Sequence, residues 1–241
     1  MGARRMVGVL GGMGPLATVD FMQKVILSTP ASRDQDHIPM VVYSVPQIPD
    51  RVSAIAAGTD EPFPAILAGL RTLEKAGAGL IVMPCNTAHA WYDRLAASTD
   101  IDIVQMADAV RRKIGDREET IALMATAATV RAGFYQRYLA DGRRRVIVPA
   151  EPVQDLLNKA IRAVKAAEEA EALAFMQEAG EAMLAAGADR MLLACTELPL
   201  AARGTSFEDR CLDATQCLAE VCIALSMQGP NEHGALMRGA H

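Results

Sequence analysis

Ala76-Gly-Ala-Gly-Leu-Ile-Val-Met-Pro-Cys85 and Ala186-Gly-Ala-Asp-Arg-Met-Leu-Leu-Ala-Cys195 are the two stretches that decide the architecture of this chain. They align without a gap at a constant offset of 110 residues. Each reads as a helix end with a glycine cap, then an apolar strand that stops on cysteine. Upstream the correspondence is looser: Val7-Gly-Val-Leu-Gly-Gly12 opens the first half, and Ile121-Ala-Leu-Met-Ala-Thr126 the second. Periods of about 20 to 50 residues would indicate a solenoid, whereas one duplication over half a chain indicates two related lobes.

Outward from these stretches, short apolar runs alternate with longer amphipathic ones, the pattern of an α/β fold. Strands are expected at Met6–Leu10, Met40–Val45, Leu80–Met83, Asp102–Gln105, Thr120–Met124, Arg145–Val148 and Met191–Ala194. Helices fill the spaces. Ile66, Leu67, Leu70 and Leu73 share a helical face ahead of Gly77, and Leu173, Met176, Gly180, Met183 and Leu184 share one ahead of Gly187. The expected architecture is two pseudo-symmetric, Rossmann-like α/β lobes with parallel sheets and an active-site cleft between them. Residues 1–116 form the first lobe, rejoined by 212–228; residues 117–211 form the second, and 229–241 a polar, glycine-containing tail.

Composition narrows the function. The 241 residues are 51% hydrophobic but only 4% aromatic, which favours small-residue packing over an aromatic binding surface. A net charge of −5 and a pI near 5.4 argue against nucleic acid or an anionic membrane as partner. Basic Arg4 and Arg5 precede an apolar run, but that run breaks at Gly11-Gly12-Met13-Gly14-Pro15 with no small-x-small cleavage site, so no secretory signal is expected. No apolar stretch approaches the roughly 18 residues of a membrane span. Five irregularly spaced cysteines read as thiols, and a reducing cytoplasm is the natural compartment.

The chemistry is set by where Cys85 and Cys195 fall. Ligand sites in parallel α/β sheets form beyond the carboxyl ends of strands, and both cysteines sit there, each ahead of a helix. If the lobes face each other, one thiolate and one thiol provide a base and an acid across a cleft, and a helix N-terminus after each cysteine is expected to lower a thiol pKa. An isolated cysteine at a strand end would be ordinary packing. Two at equivalent repeat positions, succeeded by Asn86-Thr87 and Thr196-Glu197, point instead to a pair with hydrogen-bonding groups for a substrate carboxylate and for the enediolate-like charge formed when an α-proton leaves. Cys211, Cys217 and Cys222 lack this setting and read as packing residues; their spacing is not that of structural zinc, and His37, His89, His233 and His241 make no i, i+4 pair, so no metal is expected.

Two rival readings come from other classes. Gly12-Met13-Gly14-Pro15-Leu16-Ala17 fits the G-x-G-x-x-G/A dinucleotide pattern, but the acidic residue that should end the second strand is missing, since Asp34 and Asp36 precede that strand and Ser44-Val45-Pro46 ends it. A non-catalytic bilobed protein that closes on an acidic metabolite would not need reactive thiols.

Taken together, Gly11-Gly12-Met13-Gly14-Pro15-Leu16-Ala17-Thr18, Pro46-Gln47-Ile48-Pro49-Asp50-Arg51, Pro84-Cys85-Asn86-Thr87-Ala88-His89 and Cys195-Thr196-Glu197 resemble the aspartate/glutamate racemase family, and within it the aspartate racemases. The resemblance runs from Gly8 to about Ala219. It implies a PLP-independent amino-acid racemase with no cofactor, commonly a homodimer, whose catalytic cysteines are matched by Cys85 and Cys195. It further implies substrate contacts from Met13, Asn86, Thr87, Thr126, Thr196 and Glu197, and carboxylate contacts from Arg51 and Lys165, a pair of cations suited to an acidic amino acid. The bland reading of Lys165 is a solvated charge in a Lys/Glu/Ala-rich helix, and His89 belongs to a helical turn rather than to catalysis. One departure is Ala125-Thr126-Ala127-Ala128-Thr129, where many relatives carry a Thr-Gly-Thr-like loop, so a change in backbone approach to the ligand is expected there. Within the same chemistry, a racemase of another amino acid, a hydantoin racemase or a maleate-isomerase-like enzyme stays open.

Overall fold

The computed structural model describes residues 4–228; the expected tail at 229–241 lies outside the described residues. Seven strands fall in chain order: β1 (Val7–Gly11), β2 (Met40–Ser44), β3 (Leu80–Val82), β4 (Glu119–Ala125), β5 (Arg144–Ile147), β6 (Arg190–Ala194) and β7 (Cys211–Asp213). They make two parallel sheets, ordered β2-β1-β3 and β5-β4-β6-β7. The duplication read from the sequence is repeated in the register. Val7 pairs with Leu80 in the first sheet and Ile121 with Arg190 in the second, and Arg190 lies 110 residues after Leu80.

The expected strand at Asp102–Gln105 is reduced to a single bridge, Ile81 to Ile103. The chain turns too early for more pairing, because the Gln105 side chain already accepts from the Ala107 N–H at 2.6 Å and caps the next helix. The matching place in the second sheet is β7, paired through Met191 and Cys211, which the periodicity did not reveal because three residues are too few to show alternation.

The first lobe carries helices α1 (Pro15–Ser28), α2 (Arg51–Ala57), α3 (Pro62–Lys75), α4 (Tyr92–Ala96) and α5 (Met106–Ile114). The second carries α6 (Ala127–Ala132), α7 (Phe134–Leu139), α8 (Glu151–Lys165), α9 (Glu169–Ala185) and α10 (Leu198–Ala201), and α11 (Ala214–Met227) packs back on α1 and α5. Strand alternation sorts the core into three layers. Leu10 and Ile81 face α3 through Ile66, Leu70 and Leu73; Met124 and Met191 face α8 and α9 through Leu157, Met176 and Met183. Between the sheets, Val7 and Val9 share one continuous core with Ile121, Leu123, Tyr135 and Leu218. The two lobes are therefore fused by a common apolar layer that leaves the strand carboxyl ends to build a site. Cys217 and Cys222 are buried in this layer, and all five cysteines are free thiols. No helix among the described residues is long and apolar enough to cross a membrane.

Candidate active site

The site begins with backbone that only glycine allows. Gly12 has φ +89°, and a Cβ there would lie 2.3 Å from the Val45 nitrogen, so the loop after β1 can pass against the end of β2 only without a side chain. Thr18, buried in α1, holds the loop by accepting from the Gly12 N–H at 2.9 Å, and Pro15 starts the helix. This turn sets Met13 on the cavity wall. Asp50 caps α2 by accepting from the Ser53 N–H at 2.7 Å, which places Arg51 at the first helical position facing the same wall. The Arg51 guanidinium donates to the carbonyls of Ile48 (3.1 Å), Pro49 (3.1 Å) and Met13 (3.2 Å), while its buried Nε has no protein partner.

Past β3 the chain runs through Met83-Pro84 to Cys85 and a 3-10 turn at Thr87–Trp91; past β6 it reaches Cys195, Thr196 and Glu197 before α10. One cavity of about 370 Å3 takes in both ends. From the first lobe it is lined by Met13, Arg51, Cys85, Asn86 and Thr87, and from the second by Thr126, Lys165, Cys195, Thr196 and Glu197. The structure thus brings together all ten residues singled out in the sequence. It adds Leu16 and Asp50, which lie inside the quoted motifs but are not singled out there as site residues, and Val52 and Ile161, which lie outside them.

Cys85 and Cys195 are buried, at 6% and 8% exposure. Burial pushes the Cys85 thiol up from its ordinary range, and the Arg51 guanidinium opposes that rise. Burial pushes Cys195 well up, and the Glu197 carboxylate adds to it by its charge and by the hydrogen bond it accepts from the thiol, 3.0 Å from Sγ to Oε2. The expected lowering by helix N-termini is overturned. Cys85 leads into a 3-10 turn, and Cys195 into a helix of 4 residues, so the dipole available is small against the cost of ionising a buried thiol.

A polar network stitches the lobes at the cavity floor. Tyr135 of α7 donates to Asn86 Oδ1, and the hydroxyls of Thr87 and Thr129 lie 3.2 Å apart. Thr126 caps α6 by accepting from the Thr129 N–H at 3.2 Å, and its own hydroxyl donates to Thr129 Oγ1 at 3.1 Å. Ala128 sits inside that helix with ordinary right-handed backbone, so no glycine conformation is needed here. Asn86 keeps a buried Nδ2 without a partner, a donor beside the cysteine. Tyr135 carries no signal in the sequence because it acts through Asn86 rather than from a motif, and Thr129 appears there only as the end of the Ala125–Thr129 stretch.

Lys165 ends α8 at the rim; its side chain is 63% exposed and its ammonium lies 3.8 Å from Glu197 Oε1. His89 lies off the cavity wall, stacked near Tyr92, with Nε2 3.2 Å from the Met83 carbonyl oxygen. Burial lowers its pKa to about 4, so it stays neutral. No group of three or more His, Cys, Asp or Glu suited to a metal occurs among the described residues.

A family model described as Asp/Glu/Hydantoin racemase matches residues 10–222. The chain is 28% identical over 225 residues to the broad specificity amino-acid racemase RacX of Bacillus subtilis (strain 168), covering 91% of this chain and 97% of the relative. Its fold is similar to that of Picrophilus torridus aspartate racemase, with a TM-score of 0.80, 33% identity, and 92% and 94% of the two chains covered. It is also similar to an aspartate racemase homologue from Pyrococcus horikoshii OT3, with a TM-score of 0.74, 25% identity, and 92% and 99% covered.

Proposed function

The chain belongs to the Asp/Glu/hydantoin racemase family, and on that premise we propose that it interconverts L- and D-aspartate without PLP, using Cys85 and Cys195 as paired base and acid. The observation that carries this reading is that the two thiols, each just beyond the end of an equivalent strand, line one cavity together with two cations, Arg51 and Lys165. One cysteine, as thiolate, takes the α-proton from one face while the C–H electron pair stays on the substrate as an enediolate-like anion. The other, as thiol, delivers its proton to the opposite face. Asn86 Nδ2 and the hydroxyl of Thr87, whose proton is uncommitted once it accepts from Thr129, offer donors to that developing charge. Buried donors such as Asn86 Nδ2 act more strongly than donors in bulk water. The Arg51 guanidinium on the cavity wall supplies a cation for one carboxylate, and Lys165 at the rim supplies one for the other. The same reading takes the protein to be a homodimer, by family resemblance, and to work in the reducing cytoplasm, which keeps both thiols reduced.

A broader amino-acid range is the second reading. The similarity to RacX favours it, as do the apolar Leu16, Val52 and Ile161 on the cavity wall. NMR of α-proton exchange in deuterated buffer, with both enantiomers of a panel of amino acids, separates the two. Aspartate is expected to exchange fastest, with glutamate disfavoured by about 1–3 kcal/mol for its extra methylene. Exchange of neutral amino acids with none of aspartate or glutamate would overturn the acidic assignment.

A further inference from the structure

The two thiols sit at matching places in a duplicated scaffold, but their charged neighbours differ. Four charged side chains line the cavity: Asp50, Arg51, Lys165 and Glu197. The Asp50 carboxylate is engaged at the start of α2, and Lys165, at the rim and 3.8 Å from Glu197 Oε1, opposes the effect of Glu197 on Cys195 without matching it. That leaves Arg51 next to Cys85 and Glu197 next to Cys195. Cys195 Sγ donates to Glu197 Oε2 at 3.0 Å, and Thr196 Oγ1 donates to the same oxygen at 3.0 Å, which fixes the carboxylate in place. The Glu197 side chain is only 18% exposed, so water screens it poorly.

We infer that Glu197 is a positioning residue that keeps the proton on Cys195 in the substrate-free protein, so that Cys85 is the thiol that acts first as base. This rests on the two-thiol reading above. A thiolate cannot donate, so ionising Cys195 breaks its bond to Glu197 and sets two negative charges side by side. Ionising Cys85 instead places a negative charge beside the Arg51 cation. In one turnover the Cys85 thiolate takes the α-proton and Cys195 gives its proton to the opposite face, leaving Cys85 as thiol and Cys195 as thiolate against Glu197. That repulsion drives the reset, in which Cys85 releases its proton to water and Cys195 takes one back. Because enantiomers have equal free energy, kcat/KM stays equal in the two directions, and the asymmetry shows in kcat and KM separately.

The test reads the thiols directly, without turnover. The intact protein is alkylated with iodoacetamide across a pH series, and each cysteine is followed by mass spectrometry. In the wild type the midpoint of Cys85 labelling is expected at lower pH than that of Cys195. In Glu197→Gln, which keeps the shape and removes the charge, the Cys195 midpoint is expected to fall by about one pH unit or more, with a smaller change at Cys85. Labelling of Cys195 at the lower pH in the wild type overturns the inference, and so does an unmoved Cys195 midpoint in a folded Glu197→Gln protein. If that variant does not fold, the wild-type order decides alone. A shifted midpoint in a protein that exchanges no amino-acid α-proton would sink the racemase reading and leave the Cys195–Glu197 coupling standing.

Discussion

The Cys85 half and the Cys195 half of the site share a scaffold and differ in chemistry. Each cysteine comes after the strand that pairs with the opening strand of its lobe, at the same register, and each is buried to nearly the same degree. Beside Cys85 stands Arg51, a cation held by three backbone carbonyls; beside Cys195 stands Glu197, an anion held by two side-chain donors. Duplication therefore supplied equivalent positions on one cavity, and side chains outside the repeated stretch supplied opposite polarity. Two identical thiols in identical fields would share a single thiolate equally, whereas these neighbours favour one resting state over the other.

Removing either thiol should have the largest effect on that comparison. Cys85→Ser and Cys195→Ser are each expected to lower the racemisation rate by about 10²–10⁴-fold, the usual loss of a general acid or base, measured by polarimetry on aspartate. Arg51→Lys comes next. A single ammonium cannot serve Ile48, Pro49, Met13 and a substrate carboxylate together, so kcat/KM for aspartate should fall about 10- to 100-fold. The melting temperature should drop with it, because lost charged hydrogen bonds cost about 1.5–3 kcal/mol each. Lys165→Met should be the mildest of the three. An exposed ammonium at the rim is worth about 1 kcal/mol, so KM for aspartate should rise roughly fivefold with kcat little changed, and the rate with a neutral amino acid should not move.

The strands were legible in the sequence because parallel strands buried on both faces read as continuous apolar runs, as in β1, β4 and β6. The edge of each sheet was not. Ile103 makes one bridge where a strand was expected, and Cys211–Asp213 makes a strand where none was, because pairing this short is decided by tertiary contact rather than by periodicity. Residues such as Cys85, Arg51 and Glu197 announced themselves through motif and repeat. Their electrostatics did not: the sequence offers helix N-termini after both cysteines, whereas the folded protein buries both thiols, and desolvation outweighs the short dipoles. Tyr135 was invisible for a related reason, since its hydroxyl matters only once α7 meets Asn86 across the lobes.

The stereochemistry of isotope exchange in the two single-thiol variants tests the opposed-thiol account most directly. With Cys85→Ser or Cys195→Ser in deuterated buffer, the surviving thiol still reaches one face of the α-carbon, so it can remove a proton from one enantiomer and return deuterium to the same face. The account predicts slow exchange with retention, on opposite enantiomers of aspartate in the two variants, and loss of racemisation in both. A folded variant lacking one thiol that racemises near the wild-type rate would contradict it, as would exchange of the same enantiomer in both variants.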